Sequence, residues 1–118
     1  MKIKCKICKV DLTKNLQILS DKKLLNTDDG ADFVPKGLYY SCEEDEYFNG
    51  SENKIIINVN ELINAKHHDT NLSAGCCGAD GTDGINIMCL NGHEIATIRN
   101  DCWMAHAVTF ENDKIITS

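Results

Sequence analysis

No stretch of this chain is apolar for long enough to cross a bilayer. Runs such as Ile55-Ile56-Ile57 fall far short of the roughly twenty residues that a spanning helix needs. The opening Met1-Lys2-Ile3-Lys4-Cys5-Lys6 interleaves charge with apolar side chains and lacks the apolar centre of a secretory signal. Together these absences predict a cytoplasmic chain with no membrane contact. Basic charge is also scarce: 12 Lys and Arg stand against 18 Asp and Glu, for a net charge of −6. Binding to a phosphate backbone requires basic surface that displaces counterions, so nucleic acid is disfavoured as a ligand. The text contains no His-Glu-x-x-His, nucleophile elbow or phosphate loop, and thus no assembled catalytic set. Asp80 and Asp83 lack the alternating scaffold and closing glutamate of a calcium loop.

At 118 residues the chain is too short for two cores of ordinary size, and one domain over 1–118 is expected. With 42% apolar and 25% charged residues it has the composition of a folded globule. The unusual element is sulfur. Seven cysteines, Cys5, Cys8, Cys42, Cys76, Cys77, Cys89 and Cys102, form an odd set without an export signal, which argues against a complete disulfide framework and for a metal.

The pattern predicts a β-rich α+β fold. Strands are expected over residues 3–5, 16–19, 38–40 and 54–57, the last because three β-branched residues follow one another. Asn58 and Glu61 have capping-box spacing, predicting one short helix that carries Val59, Leu62 and Ile63 and ends by His67-His68-Asp69. Residues 43–46 form an acidic run, read as a solvated loop, and residues 73–84 hold four glycines, which exclude a regular element. The final third reads as an antiparallel sheet: residues 85–90 and 93–99 flank Asn91-Gly92, a strong signal for a two-residue hairpin turn, and residues 103–110 alternate as a third strand.

Cys5-Lys6-Ile7-Cys8 is a zinc knuckle by spacing, since a tight turn brings both sulfurs to about 2.3 Å from one ion. A redox pair would instead open a helix in a βαβ context, which the text does not show. No second Cys-x-x-Cys exists, so two further ligands must come from Cys76, Cys77, Cys89 and Cys102, with Cys42 outside the site. Cys76 and Cys77 sit between Gly75 and Gly78; adjacent side chains point apart, so one should bind more readily than the other. A vicinal disulfide there is the strained alternative.

A two-residue turn at Asn91-Gly92 would set Leu90 opposite His93 and Cys89 opposite Glu94. Cys89 then faces inward with Ile85, Ile87, Ala96 and Ile98, as ligand or as a small buried residue, while His93 faces away and is excluded from its metal. Cys102 and His106 would stand roughly 13 Å apart along a strand, so His106 reads as a packed or hydrogen-bonded histidine, while Cys102 at the strand mouth stays a candidate ligand. His67 and His68 read as solvent-facing residues at a helix end.

With these residues in place, the chain resembles a group of small uncharacterised bacterial proteins. They combine an N-terminal Cys-x-x-Cys with a block like Gly75-Cys76-Cys77-Gly78-Ala79-Asp80-Gly81-Thr82-Asp83-Gly84-Ile85-Asn86, then Cys89, Gly92, Glu94 and Asp101-Cys102-Trp103. The resemblance spans roughly half the chain and implies no activity.

Three functional readings follow. The first is a zinc-stabilised binding module, such as an immunity or adaptor protein that sequesters a protein partner, motivated by the acidic balance and by Tyr39, Tyr40, Tyr47 and Phe48 near the acidic run. The second is a small enzyme, with zinc at His67, His68 or His93 or a nucleophilic thiol at Cys76 or Cys77. The third is a zinc-ribbon accessory domain touching nucleic acid through Lys2, Lys4, Lys6 and Lys9; their alternation opposite Ile3, Cys5 and Ile7 also matches the charged edge strand that prevents aggregation.

Overall fold

Strands form where β-branched and aromatic residues cluster, as at Ile55-Ile56-Ile57 and Val108-Thr109-Phe110. The computed structural model describes residues 1–42, 48, 52–67 and 84–118. Its strands are β1 (Ile3–Cys5), β2 (Gln17–Ile18), β3 (Leu38–Ser41), β4 (Ile55–Ile57), β5 (Ala65–His67), β6 (Ile87–Cys89), β7 (Glu94–Arg99), β8 (Ala107–Phe110) and β9 (Ile115–Thr117). Seven of them make one sheet in the order β2-β3-β4-β8-β7-β6-β5, and β1 pairs with β9 in a second, two-stranded sheet. All pairs are antiparallel except β2 with β3.

The central strands are covered on both faces, which is why Ile55-Ile56-Ile57 reads as a continuous apolar run rather than an alternating one. Ile57 and Val108 enter one core cluster, and Ile56 and Ala107 the other. The first cluster joins the two sheets: Ile3, Cys5 and Ile115 from β1 and β9 pack with Ile87, Ile95 and Phe110 from the large sheet. The second gathers Phe33, Val34, Tyr40 and Phe48, with Phe33 meeting the rings of Tyr40 and Phe48 edge-on. Among the described residues no helix is long and apolar enough to cross a membrane.

The expected helix after Asn58 does not form, and the α+β expectation gives way to a strand-rich fold. Among the described residues only single 3-10 turns occur. The Asn58 side chain accepts from Asn60 N–H (2.8 Å) and donates to the Val34 carbonyl (2.9 Å), while Glu61 turns away to accept from Gly37 N–H (3.2 Å). The capping box is therefore open, and the turn ends after Val59–Glu61. A helix of so few residues is marginal without support, and sheet pairing wins: Ile63 N–H donates to the Leu12 carbonyl (2.8 Å), and Ala65–His67 becomes the edge strand beside β6. The expected strand over 103–110 is shorter, Ala107–Phe110, with Trp103 exposed and Ala105 buried. His106 is hydrogen-bonded, its Nε2 donating to the Asp101 carbonyl (3.1 Å). The acidic run at 43–46, Tyr47 and most of the glycine-rich stretch lie outside the described residues.

A buried asparagine fastens the last hairpin. Asn86 Oδ1 accepts from Ile98 N–H (2.7 Å) and its Nδ2 donates to the Ile98 carbonyl (3.1 Å), so the side chain acts as one more rung of the ladder. Asn86→Ala would leave both Ile98 groups buried without these bonds, at a cost of about 1–3 kcal/mol. A lower urea midpoint at unchanged slope is the expected result.

Candidate metal centre

Two turns, one at each end of the chain, supply the chemistry. After β1 the backbone reverses over residues 6–8: Lys9 N–H donates to the Cys5 carbonyl (2.9 Å) and Cys5 N–H to the Val10 carbonyl (3.0 Å). This geometry requires Lys9 at φ 66°, a left-handed conformation that costs a side-chain-bearing residue on the order of 1 kcal/mol. The Lys9 ammonium donates back to the Lys6 carbonyl (2.9 Å) across the turn. Ile3 and Cys5 are buried as expected, but Ile7 leaves the strand alternation at the turn and stands 68% exposed.

At the other end the hairpin differs from its expected form by one residue. Its loop holds three residues, Leu90, Asn91 and Gly92, closed by Cys89 N–H to the His93 carbonyl (2.8 Å) and Gly92 N–H to the Cys89 carbonyl (2.9 Å). Gly92 has φ 87°, so the loop is a type I turn followed by a left-handed glycine. A one-residue shift moves a side chain to the opposite face, and His93 comes to Cys89: Sγ and Nδ1 are 3.4 Å apart. The expectation that these two residues cannot share a metal is thereby overturned. A bulge between Ile87 and Met88 absorbs the extra residue, so Ile87 still faces Ala96 as the core requires.

The two turns abut. Cys8 Sγ lies 3.8 Å from Cys89 Sγ, Cys5 Sγ lies 3.5 Å from His93 Nδ1, and the four ligand atoms are all within 4.8 Å of one another. Cys5 and Cys89 are buried, Cys8 and His93 half-buried. Three of the sequence-predicted ligands, Cys5, Cys8 and Cys89, are thus brought together, and the fourth place is taken by His93. Cys102 is disulfide-bonded and stands outside the group, while Cys42 is buried in the second core cluster. Cys76, Cys77 and His68 lie outside the described residues, and His67 is exposed on the edge strand. The missed ligand did carry a signal: Cys-x-x-x-His is ligand spacing, and Asn-Gly closes a three-residue loop as well as a two-residue one.

Electrostatics divide the two knuckle thiols. Burial pushes the Cys5 thiol above its ordinary range, opposed by the backbone N–H groups of Cys8 and Ile7 pointing at its sulfur. Cys8 is lowered from 9.0 to about 6, first by the Asn91 side chain and then by the Val10 N–H, both donating to its sulfur. Because the folded value lies below the ordinary one, the Cys8 thiolate favours the folded state in alkaline solution, and that contribution is lost as pH falls through about 6. A divalent ion would replace the remaining thiol protons, since thiolate rather than thiol is the ligand.

Comparison with protein-family models, with curated proteins and with solved structures finds no match.

Asn91 donates to the Cys8 sulfur and would support it as a ligand without touching the ion, a type of residue whose loss typically lowers metal affinity about 10–100-fold. In Asn91→Ala, protons compete better for Cys8, and bound metal should be released at a higher pH than from the unaltered chain. A colorimetric chelator followed through an acid titration measures this; coincident release curves would remove Asn91 from the site.

Proposed function

We propose that the chain is a small binding module whose fold is held by one structural zinc ion on Cys5, Cys8, Cys89 and His93. The supporting observation is the spacing of the ligand atoms. Zinc bonds of about 2.3 Å to sulfur and 2.0–2.1 Å to nitrogen, arranged tetrahedrally, put sulfurs about 3.8 Å apart and sulfur about 3.6 Å from nitrogen. Three of the six separations match these values, 3.8 Å between Cys8 and Cys89 Sγ and 3.5 and 3.4 Å from His93 Nδ1 to Cys5 and Cys89 Sγ, and all six lie within 4.8 Å. Three soft thiolates and an imidazole suit zinc over hard cations such as magnesium or calcium, which prefer oxygen.

A set of four protein ligands leaves no coordination position for water or substrate, and this supports a structural ion over a catalytic one. His93 as fourth ligand argues in the same direction against the hydrolase reading, which used that histidine beside an open position. A knuckle facing a hairpin turn, each giving two ligands, is the arrangement that a zinc-ribbon-like description would require. The functional surface is then the one that the ion holds in shape.

Native mass spectrometry of the purified chain should find one zinc per chain. Cys5→Ser, Cys89→Ser and His93→Ala should each lose it, whereas Cys42→Ser and Cys102→Ser should keep it. Stripping the ion with a strong chelator should lower the melting temperature by at least about 10 °C, equivalent to roughly 2 kcal/mol for a domain of this size. A chain that is isolated metal-free and melts alike with and without chelator contradicts the proposal.

A further inference from the structure

The tips of the two ligand-bearing turns carry side chains that neither turn needs. Ile7, directly before Cys8, is 68% exposed, and Leu90, directly after Cys89, is 54% exposed. They are two of the five large hydrophobic residues exposed among the described residues. Turn tips normally take polar residues, and an exposed aliphatic side chain gains free energy when it is buried, so two of them on adjoining turns are a candidate anchor for a partner. The tips are neighbours because Cys8 Sγ and Cys89 Sγ are 3.8 Å apart and the Asn91 side chain reaches the Cys8 sulfur.

Charge around the tips is divided in an informative way. Lys2 and Lys4 share Asp11, at 3.8 and 3.7 Å. Lys6 and Lys9, on the knuckle itself, are exposed and have no carboxylate partner among the described residues. The tip is thus an aliphatic pair beside two lysines that no carboxylate among the described residues neutralises, the Lys9 ammonium resting on the Lys6 carbonyl, on a chain whose net charge is −6.

Resting on the zinc-module reading, we propose that this double tip is a docking site for a short acidic segment of a protein partner that carries aliphatic side chains. The aliphatics would seat against Ile7 and Leu90, and the carboxylates beside Lys6 and Lys9. A protein segment fits better than nucleic acid, because single-stranded bases are held by aromatic stacking and both tips are aliphatic. It also fits better than an anionic membrane: an extended anionic surface meets the whole acidic chain, whereas a short segment meets only charges within about 8 Å, the screening length at physiological salt.

The test is selection of a phage-displayed random peptide library against the full zinc-loaded chain. Single-stranded oligothymidylate and phosphatidylserine-containing vesicles serve as comparison probes. Selected peptides should place Asp or Glu around Leu, Ile or Val, and should bind Ile7→Ser/Leu90→Ser and Lys6→Glu at least about tenfold more weakly, the factor that corresponds to 1.4 kcal/mol. Both variants should retain one zinc by native mass spectrometry and their melting temperature, since the three side chains are exposed, none is a ligand and none bridges the knuckle turn as the Lys9 ammonium does. Peptides without that composition, peptides that bind the tip variants undiminished, or tip-dependent binding of the oligonucleotide or vesicles instead would each overturn the proposal. Zinc content separates the two readings: a chain that fails to hold zinc sinks the module itself, whereas one that holds zinc without tip-dependent peptides sinks only the docking site.

Discussion

The structure brings together three thiols and one imidazole from distant parts of the chain, and on the zinc reading the rest of the fold depends on that meeting. Cys5 and His93 are 88 residues apart, and Cys8 and Cys89 are 81 apart. Closing so long a loop carries a large entropic cost, although that cost grows only slowly with length. Three sulfurs drawn together without an ion would either hold their protons or repel one another as thiolates, and here burial pushes the Cys5 thiol up while the Asn91 side chain and the Val10 N–H hold the Cys8 thiol down. A divalent ion would resolve the conflict by taking the place of protons and giving each sulfur a common attractive centre.

The fold makes that meeting feasible by surrounding it with apolar packing. The two-stranded sheet of β1 and β9 is joined to the seven-stranded sheet through Ile3, Cys5 and Ile115 on one side and Ile87, Cys89 and Ile95 on the other. Cys5 and Cys89 therefore belong to the core as well as to the ligand set. The outer ligands, Cys8 and His93, are half-buried, and beyond them the chain reaches solvent through Ile7 and Leu90.

Much of this was legible in the residues, and the remainder failed for identifiable reasons. The Cys5-x-x-Cys8 knuckle, the Ile55–Ile57 strand and the inward face of Cys89 follow from spacing and periodicity, which act locally. The hairpin partner of Cys89 did not, because Asn91-Gly92 satisfies a two-residue and a three-residue loop alike, and the choice between them reverses the face of His93. The bulge between Ile87 and Met88 hides that shift from the rest of the strand. The helix expected after Asn58 failed for a different reason: its cap is real, but Glu61 is drawn to Gly37 N–H, and the following residues gain more from pairing with β6 than from a second helical turn.

Zinc K-edge X-ray absorption on the purified, zinc-loaded chain tests the ligand set most directly, because it counts sulfur and nitrogen neighbours separately. The account predicts three sulfurs at about 2.3 Å and one nitrogen at 2.0–2.1 Å. A first shell containing oxygen, or one with two or four sulfurs, would contradict it.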